Sequence, residues 1–286
     1  YTGAYIYSDQ HMRNYAFFAN AEYDLSDQIT VKGGARYTNA RRTAATCTGD
    51  PGDGTFAAAF DGLANAIQLG FFPVAGFTQT GVPVAPIGLG CAPLDNTTLD
   101  GSPATYLPGE FRATLKENNV SWRAGVDYKL SSSALLYVNV AKGYKAGSFP
   151  IASAATFEQF LPVTQESLLS YEAGFKLSAL DRRLQITGAG FYYDYKDKQL
   201  RSKIVDPIFG VLDALDNIPK SRMIGAERDM TFTPVPGLVL GASGSILDSK
   251  VTKYVGLSTA GGPVDYKGSA IPYTPKYQLR LSADYK

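Results

Sequence analysis

Residues 167–195 read SLLSYEAGFKLSALDRRLQITGAGFYYDY. Leu169, Tyr171, Ala173, Phe175 and Leu177 fall on one parity, whereas Ser170, Glu172, Gly174, Lys176 and Ser178 fall on the other. Period-two alternation of this kind specifies a strand with one apolar and one polar face. The polar stretch from Ser178 to Arg183 then turns the chain, and a second strand begins at Leu184 and continues to about Leu200.

The same grammar recurs. Tyr15, Phe17, Ala19, Ala21, Tyr23 and Leu25 alternate with a parity holding Asn20, Glu22 and Asp24, and Ile29, Val31, Gly33, Ala35 and Tyr37 with one holding Thr30, Lys32, Gly34 and Arg36. Val120 to Leu130 and Tyr277 to Tyr285 repeat it. The pattern predicts ten strands, at 1–8, 14–25, 29–41, 115–130, 134–145, 167–177, 184–200, 219–232, 237–252 and 274–286.

Connections alternate in length. Ser26 to Gln28, Ser131 to Ser133, Ser178 to Arg183 and Thr233 to Pro236 read as tight turns, which predicts up-and-down antiparallel pairing. On the other side lie residues 42–114, 146–166, 201–218 and 253–273, rich in Gly, Pro, Ala, Thr and Asp, with Asp9 to Arg13 as the one short exception. Matching parity across the first tight turn pairs Leu25 with Ile29 and sets Glu22 opposite Lys32. Across the second it sets Leu130 opposite Ala134.

Strand and loop lengths fix the environment. About twelve residues at ~3.3 Å rise and ~40° tilt cover ~30 Å, the thickness of a hydrocarbon core. Soluble strands centre on about 5 to 6 residues, and a connection of about seventy residues is foreign to a compact soluble domain. Short turns on one side and long loops on the other belong to outer-membrane barrels, where the long loops are extracellular. The expected fold is all-β: an antiparallel, up-and-down transmembrane β-barrel of about ten strands, incomplete because the terminal strands lack partners. No run approaches the ~18 apolar residues of a membrane helix, and no basic-then-apolar signal segment opens the chain.

Composition agrees. Nineteen Tyr and fifteen Phe stand against one Trp and three Met. Tyr23, Tyr128, Phe175, Phe232 and Tyr285 all lie on the apolar parity, just before a short turn or the chain end, at the common depth an interfacial girdle requires. A net charge of +1 over 286 residues argues against nucleic acid as a partner.

Cys47 and Cys91, the only cysteines, both fall in loop 42–114. Two cysteines in one outward loop of an exported protein read as a disulfide, and closing about 44 residues is worth up to ~4 kcal/mol of chain entropy. In the same loop, Phe56 to Phe77 is expected to form a short helix or to pack over the barrel mouth.

Catalytic constellations are missing. His11 is the single histidine, at a predicted loop tip, so a Ser-His-Asp triad or a histidine zinc site has no material. The Gly-rich stretch Gly49 to Gly54 lacks the lysine of a phosphate loop, and Asp50 and Asp53 match no calcium-loop spacing. Neither an enzyme nor a cofactor is expected, and no resident metal.

Charge is more informative. Arg41, Arg42, Arg112, Lys116, Lys142, Lys145, Lys198, Arg201, Lys203, Lys220, Arg222, Lys250 and Lys253 cluster near the long-loop ends of the strands. Two causes stay open: anionic lipid headgroups outside the wall, or an anionic substrate drawn into the mouth. Lys142 continues the apolar face of Leu136, Val138 and Val140 and is expected to meet lipid, while Lys145 is expected to face the vestibule. As cationic or aromatic groups near the mouth, Tyr144, Lys145, Phe149, Arg201, Lys220 and Arg222 are the candidate substrate-binding residues. Arg228 breaks the pattern by sharing the parity of Ala226, Met230 and Phe232. A lipid-facing arginine at the midplane costs about 2 to 4 kcal/mol, so it must lie near an interface, snorkel or meet a partner, and a bulge or a nearby carboxylate is expected.

Several segments resemble the TonB-dependent receptors of the Gram-negative outer membrane. They are Tyr15 to Thr38, with Tyr23-Asp24-Leu25-Ser26-Asp27 at its turn and Gly34-Ala35-Arg36-Tyr37-Thr38 beyond it; Glu117 to Phe149, ending in Val140-Ala141-Lys142-Gly143-Tyr144-Lys145-Ala146-Gly147-Ser148-Phe149; and Gln165 to Lys198, with Ser170-Tyr171-Glu172-Ala173-Gly174-Phe175-Lys176. Gly225-Ala226-Glu227 ahead of Pro236-Gly237-Leu238, and Pro272-Tyr273-Thr274-Pro275-Lys276-Tyr277, add to them. Together they cover nearly all the chain outside the long loops. The resemblance implies a barrel of about twenty-two strands around a plug domain, with uptake driven by the inner-membrane TonB complex. Residues 1–286 then read as a partial barrel domain without the plug, from the middle and later part of the barrel. Arg228 departs from the family, which usually carries an apolar residue there.

The function implied is active import of a scarce nutrient, a ferric siderophore or related iron complex, with TonB, lipopolysaccharide and outer-membrane lipid as partners. Carbohydrate or cobalamin import by the same fold is the alternative within transport, and a passive pore or adhesin the alternative outside it.

Overall fold

A computed structural model describes residues 4–88, 90–98 and 101–286. Nine strands form one antiparallel sheet in strict chain order: β1 (Tyr5–Asp24), β2 (Ile29–Gly49), β3 (Phe111–Ser131), β4 (Ala134–Lys145), β5 (Glu166–Ala179), β6 (Leu184–Asp206), β7 (Gly210–Phe232), β8 (Leu238–Lys253) and, at the far edge, β11 (Tyr277–Tyr285). Between the last two lies a small hairpin of β9 (Val255–Leu257) and β10 (Pro263–Asp265). Helix α1 (Thr55–Gln68) lies in the longest loop. Among the described residues no helix is long and apolar enough to cross a membrane.

The expected up-and-down order is present, and Glu22 faces Lys32 across the first turn. Loop 42–114 narrows to 50–110, because β2 and β3 pair beyond the expected strand ends, which leaves Cys47 in β2; three further expectations are corrected. The expected segments 1–8 and 14–25 belong to one strand over Tyr5–Asp24, because β2 runs on to Gly49 and supplies partners throughout, with Asp9 opposite Ala45 and His11 opposite Thr43. The proposed loop Asp9 to Arg13 is therefore ladder, and His11 sits within a strand, 3.2 Å from Asp9. The expected start at residues 1–3 lies outside the described residues. Second, residues 201–218 are mostly an extension of β6 and β7, closed by the turn Pro207 to Phe209, where Asp206 Oδ1 accepts from the Ile208 and Phe209 amides at 2.8 and 2.9 Å. Third, Ala134 faces Ser131, because the register shifts between Lys129 and Ser131 and leaves Leu130 as the extra residue.

The first two errors share a cause. Strands of 20 to 23 residues, such as β1, β6 and β7, exceed the ~12 needed to span, and beyond the bilayer neither face has to be apolar. The ladder continues where alternation ends.

Burial is inverted relative to a soluble sheet. Phe17 and Leu279 are 76% and 77% exposed on the sheet, whereas both buried apolar clusters lie at the long-loop end, one in the connections and the other between connections and the ends of β2 and β3. One gathers Phe60, Ala64 and Ile67 of α1 with Val74, Leu94 and Tyr106, and Ile208 and Phe209 from the β6–β7 turn pack on it. The other joins Phe111, Phe149 and Phe160 with Ala44 and Ala154. The segment expected to make a helix or cover the mouth does form one.

Asp50 starts that helix. Its Oδ1 accepts from Gly52 and Gly54 at 2.8 and 2.9 Å, and Oδ2 from Ala57 at 3.0 Å. Burial pushes its pKa up, but these amides together with that of Phe56 outweigh it and hold the carboxyl below its usual value. Cys47 and Cys91 are joined by a disulfide, Cα atoms 5.4 Å apart, which ties the end of β2 to the far half of the loop.

Candidate functional site

Directly opposed residues in an antiparallel ladder share a face, so register sorts side chains by side. Val31, Val126, Val138, Ala173, Gly190, Ala226 and Ile246 form one row on the apolar face. The neighbouring row, Thr30, Asp127, Tyr137, Gly174, Ala189, Glu227, Ser245 and Gln278, lies on the polar face. In a barrel the polar face lines the lumen.

A niche of about 300 Å³ opens on that polar face, lined by Lys32, Arg123, Asp127, Tyr137, Glu172 and Lys176 among others. Lys32 Nζ lies 2.7 Å from Asp127, and the Tyr137 hydroxyl donates to Glu172 Oε1 at 2.9 Å. Arg123 and Lys176 make no ion pair among the described residues. Glycines create the room. A Cβ on Gly174 would meet the Tyr137 ring and the Gly188 carbonyl oxygen at 2.6 Å, and one on Gly225 the Ile246 carbonyl oxygen at 2.6 Å and the Phe191 ring at 2.7 Å.

From the niche an aromatic ladder climbs β6. The Phe191 and Tyr193 rings stack at 4.5 Å, and Lys198 Nζ sits 4.4 Å from the centre of the Tyr195 ring. Lys198 and Lys145 approach opposite oxygens of buried Glu166 at 3.8 and 3.9 Å. Mixed donors, acceptors and ring faces can hold a polar ligand by several weak contacts along the wall.

The loops above are bound to one another. Asn96 Nδ2 donates to Glu158 Oε2 at 3.3 Å and to Asp206 Oδ2 at 3.0 Å, which joins the longest loop, the 146–165 connection and the β6–β7 hairpin at one residue. Glu117 accepts from the Gly147 and Gln165 amides at 2.8 and 2.6 Å, and Thr48 Oγ1 from Ala154 at 2.9 Å.

The six candidate substrate residues do not share a face. Lys145 is on the lumen parity and exposed, beside Glu166. Tyr144 follows the apolar parity, with Lys142 Nζ 5.3 Å from its ring centre. Phe149 is buried in the second apolar cluster, 6.3 Å from Phe111. Arg201 is on the β6 extension opposite Leu215. Arg222 and Lys220 follow the apolar parity of β7; Arg222 pairs with Asp248 at 3.3 Å, and Lys220 stands between Lys196 and Lys253. Sequence reasoning passed over Arg123, Tyr137, Glu172 and Lys176. Their signal was available: lumen parity combined with registered neighbours on adjacent strands, rather than nearness to the mouth.

A family model described as TonB dependent receptor-like, beta-barrel, matches residues 1–286. Solved structures give the same fold. The ferric yersiniabactin uptake receptor FyuA from Yersinia pestis superposes with a TM-score of 0.63 at 18% identity over 98% of this chain and 33% of its own. The siderophore receptor PiuA from Acinetobacter baumannii gives 0.61 at 14% over 97% and 32%, and the copper transporter OprC 0.58 at 14% over 97% and 33%. This chain therefore spans about a third of the length of the structures it matches.

Proposed function

This chain belongs to the TonB-dependent receptor β-barrel family, and on that premise we propose that it is part of the wall and extracellular cap of a nutrient importer in the outer membrane of a Gram-negative bacterium. The observation that carries this reading is the pairing of opposite surfaces on one sheet: an uncovered apolar face, and a polar face bearing the Lys32–Glu172 niche beneath disulfide-tied loops. A stable soluble protein buries the first; a passive pore has no use for a cap bound at three connections.

The cargo on this reading is a ferric siderophore or related iron complex. It passes Lys145 and the β6 ring ladder toward the niche. Energy comes from the TonB complex, engaged through a plug domain in another part of the protein, with lipopolysaccharide and membrane lipid surrounding the wall. The stacked Phe191 and Tyr193 rings also suit a sugar or corrin face, which keeps carbohydrate or cobalamin import as the second reading.

The test is whole-cell uptake by the intact receptor. Replacing residues 50–110 by a short linker, with Cys47→Ser, is expected to abolish ligand binding while the barrel still assembles; unaltered binding would move recognition elsewhere. Uptake that persists after the proton gradient is collapsed would favour a passive pore.

A further inference from the structure

Arg228 lies on the face of β7 that carries Ala226, Met230 and Phe232, and the register runs without a break from Ser221 to Phe232. Neither the bulge nor the carboxylate expected from sequence is there: among the described residues Arg228 makes no ion pair and no side-chain hydrogen bond. It stands between Gly188 of β6 and Gly244 of β8. The two glycines differ. The Phe175 ring covers Gly188, where a Cβ would lie 2.7 Å from it, whereas above Gly244 a Cβ would find only ordinary contact, 3.4 Å from the Gln278 carbonyl oxygen and 3.8 Å from Leu279. A trough of about 590 Å³ opens on the Gly244 side, lined by Arg228, Ile246, Tyr277 and Leu279 among others, with Glu227 of the polar parity also bordering it.

Four residues separate Arg228 from Phe232, which is ~13 Å along the strand and ~10 Å along the membrane normal at ~40° tilt. An arginine extended toward the short-turn side covers most of that distance, and a headgroup drawn slightly inward covers the rest. We infer that Arg228 and the Gly244 trough form a binding site for one glycerophospholipid of the leaflet on the short-turn side, its phosphate on the guanidinium and an acyl chain along the trough. Charge complementarity selects the phosphate, and the apolar lining of Ile246 and Leu279 selects the chain. The inference rests on the reading that this wall spans the outer membrane.

The test is native mass spectrometry of the intact receptor purified in mild detergent and titrated with phosphatidylglycerol, with diacylglycerol as the uncharged control. One phosphatidylglycerol per barrel is expected, with apparent affinity falling roughly tenfold in Arg228→Leu, the loss of one charge-assisted contact. Gly244→Leu fills the trough, keeps the cation and is expected to weaken the same lipid, whereas Arg228→Lys retains part of the binding. Equal phosphatidylglycerol binding by the native protein and Arg228→Leu, when both fractionate with the outer membrane, overturns the site and leaves the transport reading intact. So does a native dimer that Arg228→Leu converts to monomer, since the cation then meets a second copy. A native protein that does not fractionate with the outer membrane overturns both.

Discussion

The Tyr137 hydroxyl and Glu172 meet at 2.9 Å across the β4–β5 ladder because the residue directly opposite Tyr137 is Gly174, over which the ring lies. Removing the hydroxyl alone, in Tyr137→Phe, is expected to cost about 1 kcal/mol in denaturant unfolding of the refolded barrel. Gly174→Val forces the ring off its place and is expected to cost about 1 to 3 kcal/mol. The two positions should be coupled in part: in a Tyr137→Ala background Gly174→Val loses the share of its cost that comes from the ring and keeps the share from the Gly188 carbonyl oxygen, which a Cβ would also meet at 2.6 Å, a non-additivity of ~1 kcal/mol. Additive costs would mean that the ring does not depend on the glycine.

Cys47 and Cys91 close a loop of 44-residue separation that holds helix α1. Replacing both by serine is expected to lower the stability of this loop by up to about 4 kcal/mol and to leave the strands intact. Limited proteolysis is the check. Cuts should fall within residues 50–110 of the double variant while β3 to β8 stay protected; protection equal to the native protein would show that the apolar packing around Phe60 and Leu94 suffices alone.

The wall was legible in the sequence wherever a lipid face had to alternate with a lumen face. Leu169 to Leu177 and Ile29 to Tyr37 are of this kind, and their strands lie where parity puts them. Around His11 and again from Arg201 to Asp213 the strands have left the bilayer, so nothing forces one parity to be apolar and hydrogen bonding alone decides. Leu130 was misplaced because three successive serines permit a two- or a three-residue turn equally, and only the bulge distinguishes them. The site was harder. Nearness to the mouth selected Phe149, but past the end of β4 a side chain no longer alternates, and this one turns into the loop core. Arg123 and Lys176 were visible on the lumen parity, yet their closeness to Lys32 and Glu172 depends on register across several strands.

Acid should tighten one part of the cap. Burial, and then the charge of Asp206, pushes the Glu158 carboxyl above its ordinary 4.5, against the hydrogen bond from Asn96. A carboxyl with a raised folded pKa contributes stability that is fully present below its unfolded value and is lost as pH rises through the folded one. Asp50 has the opposite sign: its stabilisation of α1 is present above its ordinary 3.8 and is lost as pH falls through the lowered folded value. Hydrogen exchange, corrected for intrinsic rate, should therefore show greater protection at residues 94–97 and 157–160 near pH 4.5 than at pH 7. Glu158→Gln should remove that dependence. If the variant keeps it, another group is titrating.

Phe209 fastens the β6–β7 hairpin to the longest loop, its ring 5.9 Å from that of Phe60. The second attachment is polar: Asp206 holds the turn amides with one oxygen and Asn96 with the other. Phe209→Ala removes a half-buried ring and is expected to cost roughly 1 to 3 kcal/mol, less than a fully buried phenylalanine would. Asn96→Ala leaves buried Asp206 short of one donor, at about 1 to 3 kcal/mol. Because both act on one junction, losing either should release the hairpin tip, and the double variant should cost less than the two single costs together. A spin label at Val205, exposed beside the turn, reports this directly: its signal should sharpen in each single variant and change little further in the double. If only the double variant is mobile, the two attachments act independently and the cap is bound more redundantly than a single junction at Asn96 implies.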